Sequence, residues 1–238
     1  MDNNNKFNCI ICKADLVYSE AEMLKCHECG QEFEENVKCA NDHFICNKCH
    51  SKSANELILD YCSASESVNP FQMAEDLMSD PRVKMHGPEH HFLVPAVLIT
   101  AYCNKTSNKS KIEKLKTAKK RAAHILGGFC GFYGNCGAAV GTGIFISIVT
   151  SATPVSMKSW SLANKSTAGS LMTIAETGGP RCCKRSTYIA LLNSVKFLKK
   201  NFSIKLEQTH KIKCSYSKYN KECIKNACDF YVPEYLNI

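Results

Sequence analysis

The sequence lacks the long apolar segments and the leader pattern that carry a chain into or across a membrane. Its longest apolar run, Gly143 to Val149, is far shorter than the roughly 20 residues that a spanning helix needs. It opens Met-Asp-Asn-Asn-Asn-Lys, without the basic and apolar stretches of a signal peptide. We therefore expect a cytoplasmic protein that has no membrane partner.

Three common catalytic signatures are also missing. The sequence contains no G-x-x-x-x-G-K-[ST] phosphate loop, no G-x-S-x-G nucleophile turn and no H-E-x-x-H helix. Their absence leaves the P-loop NTPase, α/β-hydrolase and zincin classes without support.

Cysteine, by contrast, is abundant, with 16 among 238 residues. Structural disulfides do not persist in the cytosol, so we expect most of these thiols to be reduced. That much sulfur in a reduced protein indicates metal ligation or thiol chemistry.

Charge divides the chain into two units. Residues 1–61 hold six lysines against eleven acidic residues, a net charge of −5, whereas residues 62–238 hold 24 basic and 11 acidic residues, a net charge of +13. The acidic part has too few large apolar side chains to fold without a staple such as a metal. We predict a Cys-rich zinc-binding module at 1–61, a linker at 62–70 and a Cys/Gly-rich helical domain at 71–238.

Beyond the linker, apolar residues recur at helical spacing. Asn69 followed by Pro70 is typical of a helix start, and Gly127-Gly128 of a helix end. The predicted helices cover 70–80, 88–101, 110–126, 136–149, 157–176 and 182–200, with a shorter one at 55–62. The expected fold class is mainly α: a helical domain preceded by a small two-zinc module of ribbon or RING-like knuckle type.

Four pairs of candidate metal ligands lie in the first fifty residues. A Cys-x2-Cys turn places two thiolates on one ion, and two such turns complete a tetrahedron. We interpret both ions as structural zinc, because closed four-ligand sites leave no open position for a substrate. His27 and His50 adjoin ligands, and we expect both to be bystanders. The predicted ligands are Cys9, Cys12, Cys26, Cys29, Cys39, His43, Cys46 and Cys49.

Two pairings of these ligands remain open. Sequential pairing gives a zinc ribbon followed by a knuckle, whereas interleaved pairing joins the first pair to the third and the second to the fourth. The run from Cys26 to Cys49 resembles six ligands of a RING finger. The usual last pair is missing, so Cys9 and Cys12 would have to replace it from the front. A ubiquitin-ligase role does not follow from this resemblance.

A second set of cysteines lies in the helical domain and the tail. Cys130 and Cys136 flank a Gly-rich turn, and Cys136 is expected at a helix N-terminus, where free amides and the macrodipole favour a thiolate. Cys182 and Cys183 follow Gly-Gly-Pro-Arg and are flanked by basic residues, so we interpret them as thiolates too. The tail adds Cys214, Cys223 and Cys228, which need a fourth ligand from Cys182 or Cys183 to complete a site.

An iron–sulfur cluster, a zinc ion and free redox thiols all remain open for this second set. The predicted cofactor ligands are Cys130, Cys136, Cys182, Cys183, Cys214, Cys223 and Cys228. Cys136, Cys182 and Cys183 are the candidate catalytic thiols. Glu89 and His90 are the candidate general acid or base, or further metal ligands, facing them.

These motifs carry a resemblance. Met85-His-Gly-Pro-Glu-His-His91, Cys136-Gly-Ala-Ala-Val-Gly141 and Gly-Pro-Arg-Cys-Cys-Lys-Arg185 resemble an uncharacterised bacterial and archaeal Cys-rich domain family. That family occurs alone or fused to methyltransferase or radical-SAM-type domains, which implies an accessory role and a protein partner of that class. The chain is also distantly similar to a small redox family with a C-GCAxxG-C-C pattern, in which Cys130, Cys136 and the Cys182–Cys183 pair would match the cysteines.

The segment from Lys105 to Arg121 is strongly basic, with Glu113 as its only acidic residue. It is a candidate surface for RNA, although no aromatic residues are interleaved for base stacking. The sequence therefore predicts a metalloprotein with a structural zinc module and either an iron–sulfur cluster or redox thiols. The alternative is a zinc-stapled RNA-binding or protein-interaction scaffold without catalysis.

Overall fold

The computed structural model describes residues 9, 11–12, 14–208 and 211–233, without the side chains of residues 50–53. Within them the protein is mainly α-helical, as the sequence predicts. An antiparallel hairpin of β1 (Leu16–Lys25) and β2 (Glu32–Cys39) comes first. The helices that follow are α1 (Asn47–Ala64), α2 (Pro70–Ser79), α3 (Glu89–Lys105), α4 (Lys111–Ala122), α5 (Phe129–Phe132), α6 (Gly137–Val149), α7 (Lys158–Thr177) and α8 (Cys183–Phe202).

The predicted helices agree with the observed ones to within a few residues, except at α1, and the single-turn α5 lies in a segment predicted as a Gly-rich turn. The sequence pattern predicts helix only from residue 55 to 62, but α1 begins at Asn47. Its first turn carries the metal-ligand pair that starts at Cys46, and the ligand geometry fixes that turn without an apolar pattern. Ala54 and Ile58 are fully buried in the helical core. Helix α1 crosses the predicted boundary at residue 61, and the domain limits stay a prediction.

The hairpin has little apolar support of its own. Its strands pair from Leu16 opposite Cys39 to Lys25 opposite Glu32, and most of their side chains are exposed. This core is too small to hold a fold unaided, as the sequence predicts. The buried residues beneath it are Leu24, Cys26, Phe44 and Cys46.

Helix α3 is the centre of the helical part. It packs against α1, α2, α4, α6 and α8, and its nearly continuous apolar sequence fits an element that is covered on most sides. Helix α6 is buried in the same way between α3 and α7. Among the helices of the described residues, none combines the length and the apolar character that crossing a membrane requires.

Two glycines of α6 set its distance from its neighbours. A Cβ at Gly141 would lie 2.8 Å from Cδ of Pro95 on α3. A Cβ at Gly143 would lie 3.1 Å from the carbonyl oxygen of Ala163 on α7. Because backbone atoms cannot move aside as a flexible side chain can, a larger residue at Gly143 would push α6 and α7 apart.

We expect Gly143→Ala to lower the free energy of unfolding by about 1–3 kcal/mol through overpacking. Gly169 on α7 is the matched control, since a Cβ there would meet no atom within 4 Å. Gly169→Ala should instead raise the free energy by about 0.5–1 kcal/mol, because alanine restricts the unfolded chain and favours helix. Urea unfolding followed by circular dichroism measures both, and equal effects of the two substitutions would contradict this packing.

The tail returns across the N-terminal end of α8. Residues 211–233 contain two single-turn 3-10 helices, Ser217–Tyr219 and Lys225–Ala227. The backbone N–H of Cys214 donates to the carbonyl of Phe230 at 2.7 Å, and the Phe230 ring packs 5.2 Å from that of Tyr188 on α8. These contacts bring the cysteines of the tail to the start of α8.

Candidate metal centres and a thiol-lined cavity

The first candidate metal centre consists of Cys9, Cys12, Cys39 and His43, whose ligand atoms all lie within 4.8 Å of one another. The Sγ atoms of Cys12 and Cys39 are 3.7 Å apart. Nδ1 of His43 lies 3.2 Å from Sγ of Cys12 and 3.5 Å from Sγ of Cys39. A tetrahedral ion with metal–sulfur bonds of about 2.3 Å separates its sulfurs by about 3.8 Å, so these four residues can hold one metal ion.

The second candidate centre consists of Cys26, Cys29, Cys46 and Cys49, grouped within the same limit. The Sγ atoms of Cys29 and Cys46 are 3.9 Å apart, which again suits a single tetrahedral ion. Cys26 and Cys46 are almost completely buried, whereas Cys29 is exposed. Two metal ions can therefore be held by the eight residues that the sequence singles out.

The pairing is interleaved. Cys9 and Cys12 precede β1, and Cys39 ends β2. These three ligands therefore lie at the open end of the hairpin. Cys26 and Cys29 lie at the opposite end, where Cys26 pairs with Phe44 just before α1. The antiparallel strands carry the second pair away from the first, which makes sequential pairing geometrically impossible in this fold.

Backbone N–H groups point at the sulfurs in both centres. The N–H of Ala14 is the main reason that the pKa of Cys12 is lowered to about 6. For Cys26, burial opposes ionisation, yet the N–H groups of Cys29 and Cys46 lower its pKa to about 6. Burial and neighbouring thiols raise the pKa of Cys49 to about 12. Four thiolates this close therefore need a cation between them.

The two histidines that adjoin candidate ligands are His27 and His50. His27 belongs to neither ligand group, and its ring packs edge-on against His43 at 5.1 Å. The side chain of His50 lies outside the described residues.

The second set of cysteines separates into two sites that share Cys182. The first is the tail site, a small cavity lined by Cys182 from the start of α8 and by Cys214, Cys223 and Cys228 from the tail. The tail triad thus meets Cys182, one of the two donors that the sequence suggests. The remaining wall is largely apolar and includes Met85, Tyr188, Ile224, Phe230 and Tyr231.

Backbone donors surround the tail site as they surround the hairpin centres. The N–H of Arg185 lies 3.5 Å from Sγ of Cys182. The N–H of Tyr216 lies 3.4 Å from Sγ of Cys214, and that of Lys225 lies 3.4 Å from Sγ of Cys223. Such donors favour thiolate ligands of a metal or cluster.

The second site is a larger cavity of about 590 Å³, which we call the thiol cavity. Its walls come from the Gly-rich segment 128–138, the C-terminal half of α7, the turn 178–181 and the first turn of α8. Cys130, Cys136, Cys182 and Cys183 all line it. Cys136 is the N-cap of α6 and Cys183 is the first residue of α8, so two helix N-termini meet here.

Burial changes the expected ionisation of Cys182 and Cys183. The basic flanking residues suggest thiolates from sequence, but burial raises the pKa of Cys182 and raises that of Cys183 to about 12. The Arg185 charge lowers the pKa of Cys182 and the N–H of Gly87 lowers that of Cys183, but neither effect reverses the rise. Desolvation therefore outweighs the nearby charge.

The two predicted acid–base residues are both deeply buried. His90 lies 3.0 Å through Nε2 from the carbonyl of Lys84 and 3.0 Å through Nδ1 from the hydroxyl of Thr187. Glu89 accepts the N–H of Lys84 at 2.7 Å, and burial raises the pKa of its carboxyl. Burial also lowers the pKa of His90 well below its usual value. Their catalytic roles stay predictions.

His91 has the more suitable position at the thiol cavity. Its Nδ1 lies 3.0 Å from the carbonyl of Ile125, so Nδ1 carries the proton and Nε2 has a free lone pair. Nε2 lies against Gly137, next to Cys136. The sequence shows a histidine cluster here but cannot tell which ring faces the cysteines, since Pro88 leaves the helix start uncertain.

The basic segment forms α4, and several of its cations are engaged. Lys111 donates to the carbonyl of Ser65 at 2.8 Å, and Arg121 donates to the hydroxyl of Ser147 at 2.9 Å. Lys116, Lys119 and Lys120 lie on the more exposed side of the helix. The cationic surface is therefore smaller than the sequence suggests.

A sequence profile of a family of unknown function, DUF5714, matches residues 58–231. The match covers the helical part, the thiol cavity and the tail site, and it begins after the hairpin centres. No curated protein and no solved structure shows a significant match. Because the matched region is well over half of the chain, this protein belongs to the DUF5714 family of unknown function.

Proposed function

We propose that this chain is a metalloprotein with structural zinc in its two hairpin centres and an iron–sulfur cluster in the tail site. The observation that carries the proposal is the convergence of Cys182, Cys214, Cys223 and Cys228 on one cavity. Four cysteines with an apolar surround are the usual ligands and environment of such a cluster. Zinc suits the hairpin centres because closed sites of four cysteines, or of three cysteines and one histidine, are typical of structural zinc.

Spacing of the sulfurs favours a cluster over a single ion in the tail site. Among the described residues, only the two hairpin groups bring three or more ligand atoms within 4.8 Å of one another. The four cysteines of the tail site line a common cavity, but no three of their sulfurs meet this limit. Thiolates bound to different irons of one cluster stand further apart than thiolates that share one zinc ion.

A cluster at this position would supply one-electron transfer. Cys182 also lines the thiol cavity, so the cluster would lie in its wall. We propose that the protein serves as an accessory to methyl-transfer or radical chemistry, with a methyltransferase or radical-SAM-type enzyme as its partner. The abundance of unpaired thiols supports a reducing compartment such as the cytoplasm.

Metal and sulfide analysis of anaerobically purified full-length protein tests the tail site. We expect two zinc ions, with about four iron and four sulfide per chain and a visible absorption band that bleaches on reduction. Cys228→Ser should lose the iron and the band but keep both zinc ions. Cys130→Ser is the matched control, since Cys130 is exposed and lies outside the tail site, and it should keep the iron.

Two results would overturn the iron–sulfur assignment. A third zinc that disappears in Cys228→Ser would assign zinc to the tail site. Two zinc ions with no iron, even after reconstitution with iron and sulfide, would show that the tail cysteines are free thiols.

A second candidate function is RNA binding without catalysis. The lysines on the more exposed side of α4, Lys116, Lys119 and Lys120, support it. Binding through phosphate contacts would weaken steeply with salt, because each contact releases a counterion. A fluorescence-anisotropy titration with single-stranded RNA at two salt concentrations separates this function from the first, and salt-independent or undetectable binding would remove it.

A further inference from the structure

The thiol cavity has the size and the lining of a small-molecule site. Its volume of about 590 Å³ lies in the range of known ligand pockets. One wall is apolar and consists of Leu171, Ile174 and Ala175 on α7. The opposite wall carries polar and reactive groups, among them Cys136 and His91. An apolar pocket with a few convergent polar groups is the usual form of a ligand site.

The charge of the cavity is positive. None of the described residues that line it is aspartate or glutamate. Arg185 is held in place by its bonds to the turn at residues 178–180, so its charge is fixed in the wall. Arg181 is exposed at the cavity and accessible to a ligand. The N-termini of α6 and α8 add their macrodipoles.

The reactive groups lie close to these positive charges. Cys136 and Cys183 both line the cavity, at the N-terminal ends of α6 and α8. Cys136 and Cys183 are both partly exposed. His91 presents Nε2 on the same side. Of the two thiols, Cys136 is the one beside His91, whose Nε2 lies against Gly137.

We propose that the thiol cavity binds a small organic anion, with its anionic group at Arg181 and its apolar part against α7, in reach of the Cys136 thiol. The two arginines and the lack of acidic groups among the described lining residues favour an anionic ligand over a cationic one, and the volume suits a small molecule. Arg181, Cys136 and the α7 wall are not part of the tail site, so this proposal does not require a cluster there, although the two sites share Cys182.

Two alkylating reagents that differ in charge test the proposal. Iodoacetate carries a carboxylate and iodoacetamide is neutral. Both transfer their carbon to a thiolate, forming a sulfur–carbon bond and releasing iodide. The rate at Cys136 is measured by peptide mass spectrometry on the full-length, anaerobically purified protein. N-acetylcysteine gives the ratio of the two rates for a free thiol.

We expect the ratio of iodoacetate to iodoacetamide rates at Cys136 to exceed that of N-acetylcysteine by about tenfold or more. Arg181→Gln should reduce the ratio towards that of the free thiol. Arg121→Gln removes the same charge from α4, away from the cavity, and should leave the ratio unchanged. High salt should reduce the ratio in the wild type, because it screens the field at the cavity.

A ratio at Cys136 equal to that of the free thiol would overturn the proposal, as would a ratio that Arg181→Gln does not change. A Cys136 that reacts with neither reagent would also overturn it, because the thiol would then not face the cavity. Iron and zinc contents of the same samples are measured in parallel. An empty tail site with charge-selective Cys136 would leave this inference intact while removing the iron–sulfur assignment.

Discussion

Replacing Cys26 by serine is expected to remove one metal ion and to unfold the end of the hairpin that carries Cys26 and Cys29, while the other centre keeps its ion. Cys26 is 1% exposed, and its centre holds together a segment whose apolar core contains little more than Leu24 and Phe44. Zinc binding contributes about 10–16 kcal/mol to the folding of zinc-finger peptides. The small apolar core in the described part of the hairpin cannot supply a comparable free energy. Metal analysis should find one zinc fewer, and limited proteolysis should cut within residues 14–45 while the helical part stays intact.

Metal analysis also distinguishes interleaved from sequential pairing of the hairpin ligands. In the interleaved arrangement Cys26 and Cys46 bind the same ion, so the double variant Cys26→Ser/Cys46→Ser should still hold one zinc. Sequential pairing would place them on different ions, and the double variant would then hold none. Cys130→Ser is the control for a cysteine outside both centres and should keep two zinc ions and the wild-type proteolysis pattern.

Replacing Lys184 by methionine is expected to destabilise the helical part by about 3 kcal/mol. The Lys184 ammonium is fully buried and donates to the carbonyls of Met78 and Val83, at 2.9 Å each. Methionine fills similar space but leaves both carbonyls without this donor. Each buried carbonyl that loses its hydrogen bond lowers the free energy of unfolding by about 1–3 kcal/mol. The ammonium also lies 4.8 Å from the centre of the Tyr216 ring, so its loss should loosen the tail. Urea unfolding measures the free energy.

Lys196→Met is the matched control for this substitution. Lys196 is exposed on the same helix, and its loss should change the free energy of unfolding by no more than about 0.5 kcal/mol. Hydrogen exchange adds a local readout, since Lys184→Met should speed exchange in the α2–α3 turn and in the tail. Equal free energies for the two variants would show that Lys184 does not hold these carbonyls.

The metal-ligand turns and the main helices were predictable because their signals are local. A Cys-x2-Cys turn needs only neighbouring residues to place two sulfurs on one ion. Helices such as α2 and α6 carry their starts and apolar faces in consecutive residues, and Pro70 and Gly137 lie at their first positions. The start of α1 was missed because ligand geometry, rather than an apolar period, begins that helix at Asn47.

The ionisation of Cys182 and Cys183 and the orientation of His91 depend on residues far away in the sequence. The basic residues beside Cys182 and Cys183 suggested thiolates, but the packing of α8 buries both sulfurs and raises their pKa. The sequence also could not predict which histidine faces the thiol cavity, because the carbonyl that orients His91 belongs to Ile125, 34 residues away. Sequence motifs name the residue types at such a site but not their surroundings.

The sequence by itself determined the mainly helical class and the eight candidate ligands that the structure groups into the two hairpin centres. Only the tertiary structure decided that the hairpin pairs interleave and that the second set splits into a tail site and a thiol cavity sharing Cys182. Spacing along the chain fixes which sulfurs can share a turn. Which turns meet depends on an antiparallel hairpin and on a tail that packs back across α8, and these contacts join residues far apart in sequence.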